Sequence, residues 1–174
     1  MTTRVNELGL PIGPALLDWT ARPRLPRAVM EGRYCRVEPL DPVRHAAELH
    51  AANSLDREGR MWTYLLSGPF ESFGAYRAWL ESKRGSEDPL FFAFVDATSG
   101  RAVGLGSYLR IDPANGSVEV GHLQYSPLMQ RTAVATEAMY LMMKTAFDLG
   151  YRRYEWKCDA LNARSRRAAE RLGF

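Results

Sequence analysis

The sequence predicts an α+β domain built on a mixed, mostly antiparallel sheet flanked by helices, and three observations carry that reading. LFFAFVD at 90–96 is an unbroken apolar run of strand length, as expected of a central strand covered on both faces. RAVGLGSYLRI at 101–111 and SVEVGHLQY at 117–125 flank Pro113-Ala114-Asn115-Gly116, a hairpin-type turn that makes them antiparallel neighbours. A further strand, YRRYEWKCD at 151–159, follows only after a helical segment at 132–149, which is a strand–helix–strand crossover. Hairpins first and one crossover later give a mixed sheet, not a doubly wound parallel one.

The other elements follow in order. Residues 1–31 carry Pro11, Pro14, Pro23 and Pro26 and read as an extended arm lying on a domain of residues 32–174, with Leu17 and Trp19 able to pin it. RYCRVEP at 33–39 alternates as a strand. Asp41 with Pro42 behind it opens a helix to about Asn53. Residues 54–71 are irregular and aromatic, and Ser72 caps a second helix that stops near Gly85. In the helix at 132–149, Val134, Ala138, Leu141, Thr145 and Leu149 form the apolar stripe and Gly150 the stop. In the last strand Tyr154, Trp156 and Cys158 alternate against Arg153, Glu155 and Lys157. Asn162 caps the final helix, which ends at Leu172-Gly173-Phe174.

Composition narrows the function. The 174 residues, 46% hydrophobic and 25% charged, suit one globular domain. A net charge of +3 fits an anionic ligand but is too small to argue for nucleic acid. Cys35 and Cys158 lie far apart, and His45, His50 and His122 are scattered, so neither a disulfide framework nor a metal site is expected. No apolar run reaches membrane-spanning length and the N-terminus lacks a signal-like h-region, so a reducing cytoplasm is the expected setting.

YSPLMQRTAVATEAMYLMM at 125–143 runs from a polar turn straight into an apolar helix. A helix N-terminus presents unpaired N–H groups and a partial positive charge, a natural anion site, yet this one contains no glycine. With its neighbours the stretch resembles the GCN5-related N-acetyltransferases, in particular the RimJ/RimL type. VEVGHLQYSP is similar to the family's fourth strand with its Glu-hydrophobic-Gly signature. QRTAVATEA stands where the family has its Q/R-x-x-G-x-G/A acyl-CoA loop. KCDALNARSRRAAERLGF resembles its fifth strand and fourth helix, with N-x-x-S and a terminal L-G-F.

The resemblance implies the acyl-CoA N-acyltransferase fold, acetyl-CoA as co-substrate without a metal, and transfer to a primary amine, either a protein N-terminus or a small molecule. It implies coenzyme A contacts from Gln130, Arg131, Thr132, Ala133, Val134, Ala135 and Thr136 at the loop, from the backbone of Leu123, Gln124 and Tyr125, and from Asn162 on the pantetheine arm. Asn162 reads equally as a helix cap. Ala133 replaces the family's glycine. That is tolerable where the backbone is helical and costs roughly 1–2 kcal/mol where φ is positive.

Transfer needs a proton acceptor, for which Glu119 and His122 on the fourth strand are candidates. Their opposite parity predicts that they face opposite sides of the sheet. Ser165 stands in for the tyrosine many members carry on the fourth helix, whose matching place here is Ala169. Glu137 is read as a dipole-complementing residue, and Arg164, Arg166, Arg167 and Arg171 as a solvated basic face. Trp62, Tyr64 and Phe70 fall at the family's acceptor-side wall and serve equally well as core. The family continues into one or two further strands, so these C-terminal strands are expected to be missing from a truncated domain. An open sheet edge there leaves a homodimer available. A non-catalytic acyl-CoA-binding or interaction module on the same fold is the alternative to an enzyme.

Overall fold

The computed structural model describes residues 4–174. A short hairpin in the arm joins β1 (Arg4–Val5) to β2 (Pro11–Ile12). The main sheet has six strands in simple chain order: β3 (Met30–Glu31), β4 (Cys35–Pro39), β5 (Leu90–Asp96), β6 (Ala102–Asp112), β7 (Ser117–Tyr125) and β8 (Arg153–Trp156). Every pair is antiparallel except β7–β8, which is parallel across the crossover helix. The sheet therefore begins at Met30, inside the segment expected to be arm.

Four helices cover the sheet: α1 (Pro42–Asn53), α2 (Phe73–Lys83), α3 (Ala133–Asp148) and α4 (Ala163–Leu172). Each starts where a side-chain oxygen takes an orphan N–H of its first turn. Asp41 accepts from Val43 N–H, Ser72 from Ala75, Thr132 from Ala135 and Asn162 from Ser165, at 3.0–3.3 Å.

Alternation along the strands sorts side chains into two cores. On one face Val37, Phe92, Phe94, Tyr108, Val118 and Val120 pack against α3. On the other Phe91, Ala93, Val95 and Leu105 pack against α1 and α2 with Trp62, Tyr76 and Leu80. The residues of α3 that bury are Ala135, Ala138, Met139, Met142 and Ala146, one position on from most of the expected stripe. The methionines fill the centre of the core, while Val134, Leu141 and Leu149 pack at its margin. β8 stops at Trp156, so Cys158 lies beyond the strand and is exposed. In the arm, Trp19 donates its indole N–H to Ala114 O at 2.7 Å, whereas Leu17 is exposed and pins nothing.

Candidate active site

Two irregularities shape β7. Leu105 pairs with Gln124 but Ser107 with Gly121, so β7 holds one residue more than β6 across this interval. The bulge includes His122, whose φ is 51°. A second register shift places Arg110, φ 48°, in a bulge on β6. The β7 bulge reverses the expected parity. Glu119 pairs with Leu109, two residues from the Ser107–Gly121 pair, which itself lies on the Phe91 face. After the extra residue, His122 returns to that face. Its ring lies 5.1 Å from Phe91 and its Nδ1 is 2.9 Å from Ser107 Oγ. Glu119 and His122 therefore share the α1/α2 face, against the expectation from simple alternation.

Their environments differ. Burial holds His122 below its ordinary value, and Lys83 and Arg110 push the same way against Glu119, so the imidazole is neutral at pH 7. Glu119 is buried, and its Oε2 holds both Arg110 Nη1 and Lys157 Nζ, the latter at 2.8 Å. Neither Arg110 nor Lys157 stood out in the sequence, because no local pattern announces a bulge or a turn of chain beyond a strand end.

The parallel pair is short. Ser117–Val120 of β7 pair with Arg153–Trp156, and there β8 ends. From Gly121 to Tyr125 the outer edge of β7 has no strand partner among the described residues, so the two strands part and leave a cleft. Leu123, Gln124 and Tyr125 line its β7 side through their backbone. Their side chains are otherwise engaged. Leu123 packs in the α3-side core, Gln124 Oε1 accepts from Tyr76 OH at 3.0 Å, and the Tyr125 hydroxyl is buried without a partner.

Beyond β7 the chain turns into α3. The backbone N–H of Gln130 donates to Ser126 O and its side chain braces Tyr125 O at 2.8 Å. Arg131 takes the left-handed conformation at φ 64°. Thr132 is the N-cap: its hydroxyl donates to Met129 O and accepts from Ala135 N–H. Ala133 is the first helical residue, with no positive φ. The strain falls on Arg131, and the missing glycine at 133 costs nothing in backbone energy. Of the seven loop residues expected to meet coenzyme A, Ala135 has its N–H taken by the Thr132 hydroxyl, while those of Thr132, Ala133 and Val134 are orphans of the helix start.

α4 begins across the cleft. Asn162 Oδ1 caps Ser165 N–H, and Trp156 donates its indole N–H to Ser165 Oγ at 2.9 Å. With that lone pair occupied, the Ser165 O–H is free to donate. Trp156, read from sequence only as a strand residue, orients the hydroxyl. Arg171 of α4 reaches Thr136 Oγ1 at 3.0 Å and is not merely solvated. Tyr64 OH donates to Leu161 O at 3.2 Å, while Trp62 and Phe70 stack edge-on in the core. Among the described residues no group of three His, Cys, Asp or Glu is placed to hold a metal.

Residues 36–174 match the model of the acetyltransferase (GNAT) domain. The chain belongs to the GNAT family of acetyltransferases. It is similar to the crystal structure of a GCN5-related N-acetyltransferase from Brucella melitensis, at 47% identity and TM-score 0.89, over 91% of this chain and 72% of that one. It is also similar to a probable GNAT-family acetyltransferase from Chromobacterium violaceum ATCC 12472, at 39% identity and TM-score 0.86, covering 95% and 82%. The Microcin C7 self-immunity acetyltransferase MccE, in complex with acetyl-CoA and AMP, shares the fold at 18% identity and TM-score 0.70, covering 82% and 79%. No curated protein matches. This GNAT chain is thus an acyltransferase, and the module reading gives way to an enzyme.

Proposed function

We propose that this GNAT domain transfers the acetyl group of acetyl-CoA directly to a primary amine bound on the α1/α2 face of β7, in the manner of the RimJ/RimL type. The single observation that carries the reading is the coincidence of three features at one end of the sheet: the parted β7–β8 pair, the open N-terminus of α3, and Ser165 with a free hydroxyl proton. The N–H groups of Thr132, Ala133 and Val134, with the Arg131 side chain, hold the coenzyme's pyrophosphate. Asn162 caps α4 with its Oδ1 and keeps its Nδ2 for the pantetheine arm.

Acetyl-CoA supplies an activated thioester; transfer forms the amide N–C bond, breaks the C–S bond and releases the coenzyme thiol. His122 takes the proton that the attacking amine loses. A neutral imidazole is suited to this, whereas Glu119 is engaged by two cations. An N–H from the Leu123–Tyr125 edge supports the carbonyl oxygen as charge gathers on it. Ser165 donates its proton toward the departing sulfur. Cys35 is not a competing nucleophile, because burial and then Glu137 push its thiol up to about 12.

The test is thiol release from acetyl-CoA in the presence of an amine panel, beside a thermal shift with coenzyme A. Amine-dependent thiol is expected, reduced about 10²-fold or more in His122→Gln. Stabilisation by coenzyme A without amine-dependent thiol would overturn the catalytic reading. No stabilisation would overturn the coenzyme site.

A further inference from the structure

The acceptor's own chemistry is written in the charges around Glu119, given the reading that the amine approaches this face. The Glu119 side chain is only 6% exposed, while those of Arg110 and Lys157, which it holds, are 63% and 55% exposed. The negative charge is underneath and the positive charges are on display. Arg110 is built into place. The Asp88 carboxylate accepts from the N–H of Arg110 at 2.9 Å and of Ile111 at 3.0 Å, fixing the β6 bulge that turns the guanidinium toward Glu119. Lys83, over the Trp79 ring, adds a third cation near His122. Glu155 lies beside Glu119 in the parallel pair and is occupied by Lys157 at 3.2 Å and Arg153 at 2.8 Å. One Arg110 Nη1 contact and one Lys157 contact to Glu119 leave further N–H donors on both cations.

We propose that the acceptor is a primary amine carrying an anionic oxygen group, carboxylate or phosphate, that docks on Arg110 and Lys157. Glu119 is then a positioning residue that holds the two cations. Glu119 precedes His122 by three residues, on the order of 10 Å along a strand, so several bonds separate the anion from the amine. Charge-assisted bonds fix such an acceptor in register. The same cations repel polyamines and polycationic antibiotics, a discrimination by repulsion as much as by attraction.

The test is a matched series of acceptors: hexylamine, aminohexanoate, aminohexyl phosphate, diaminohexane, and a peptide with acidic residues just after its free N-terminus. In thiol release, kcat/KM is expected to be about tenfold or more higher for the anionic amines than for hexylamine, with diaminohexane lowest. Raising salt to about 0.5 M should shrink the gap. Arg110→Gln and Lys157→Gln should each narrow the ratio of aminohexanoate to hexylamine. Should Arg110→Gln fail to fold, Lys157→Gln, altered at an exposed position beyond β8, carries the comparison. Activity with the peptide alone would name a protein N-terminus as the source, and activity with the small anions a free metabolite. Equal rates across the series, a preference for the diamine, or a ratio unmoved in the foldable variants would overturn the proposal. Should no amine be turned over, calorimetric binding to the coenzyme A-saturated protein decides. Aminohexanoate binding more tightly than diaminohexane would support the anionic acceptor even as the catalytic reading failed; the reverse would overturn it.

Discussion

Glu137 carries more of this structure than its place in a first helical turn suggests. Its carboxylate accepts from the N–H groups of Arg33, Tyr34 and Cys35 at 2.6–2.9 Å, tying α3 to the turn that opens β4. Burial raises its pKa, but the three backbone bonds outweigh burial and leave it below the usual 4.5. The folded state therefore gains stability from the ionised form above about 4.5 and loses it as pH falls through the lowered folded value. Glu137→Ala should cost about 2–3 kcal/mol in urea unfolding at pH 7, and the gap from wild type should narrow on acidification. Gly32 leaves room for this carboxylate, because a Cβ there would lie 2.4 Å from Glu137 Oε2 and 3.0 Å from Cys35 O. Gly32→Ala should displace the carboxylate and reproduce part of the same loss. For His122, proposed as the proton acceptor, the linkage concerns rate. Its lowered value puts the acid limb that it contributes to kcat/KM below pH 6.5, and a limb above that pH would contradict the assignment.

At the scale of elements, the bulge in β7 and the start of α3 decide what the site can do. A strand without the bulge would turn His122 to the α3 side, away from Glu119. At α3 the conformational strain sits on Arg131 and not on Ala133. Arg131→Gly should therefore raise stability by about 1 kcal/mol while weakening coenzyme A, through relief of φ and loss of the guanidinium. Ala133→Gly should lower stability by up to about 1 kcal/mol, since it loosens a helical residue. Thermal melts with and without coenzyme A separate the two effects. Across the cleft, Trp156→Phe keeps most of the packing but removes the donor that orients Ser165. A fall in kcat with KM for acetyl-CoA little changed is expected, and Ser165→Ala should fall at least as far.

For the whole molecule, the two faces of one sheet divide the work. In the proposed reaction the α3 side holds the coenzyme and the α1/α2 side receives the acceptor, and the parted end of β7 and β8 connects them. Coenzyme A at about a hundred times its Kd should stabilise the fold by about 2.7 kcal/mol, visible as a rise in Tm. Much of this was legible in the chain. LFFAFVD, the turn at 113–116 and the caps Asp41, Ser72 and Asn162 depend on local spacing and local hydrogen bonds, so the sequence by itself determined the main strands from β4 onward, the helix starts and the mixed topology, but not β3 inside the expected arm. The ordered motifs on the fourth strand, the loop and the last helix determined the family. Tertiary structure alone decided which side chains meet. Whether Glu119 and His122 share a face depends on one extra residue between two strands, and the fate of the Glu119 charge depends on Arg110 and Lys157 arriving from other elements. Such contacts arise from register and from the ends of elements, where no periodicity in the sequence speaks, because they are set by the balance of pairing between strands and not within any one of them.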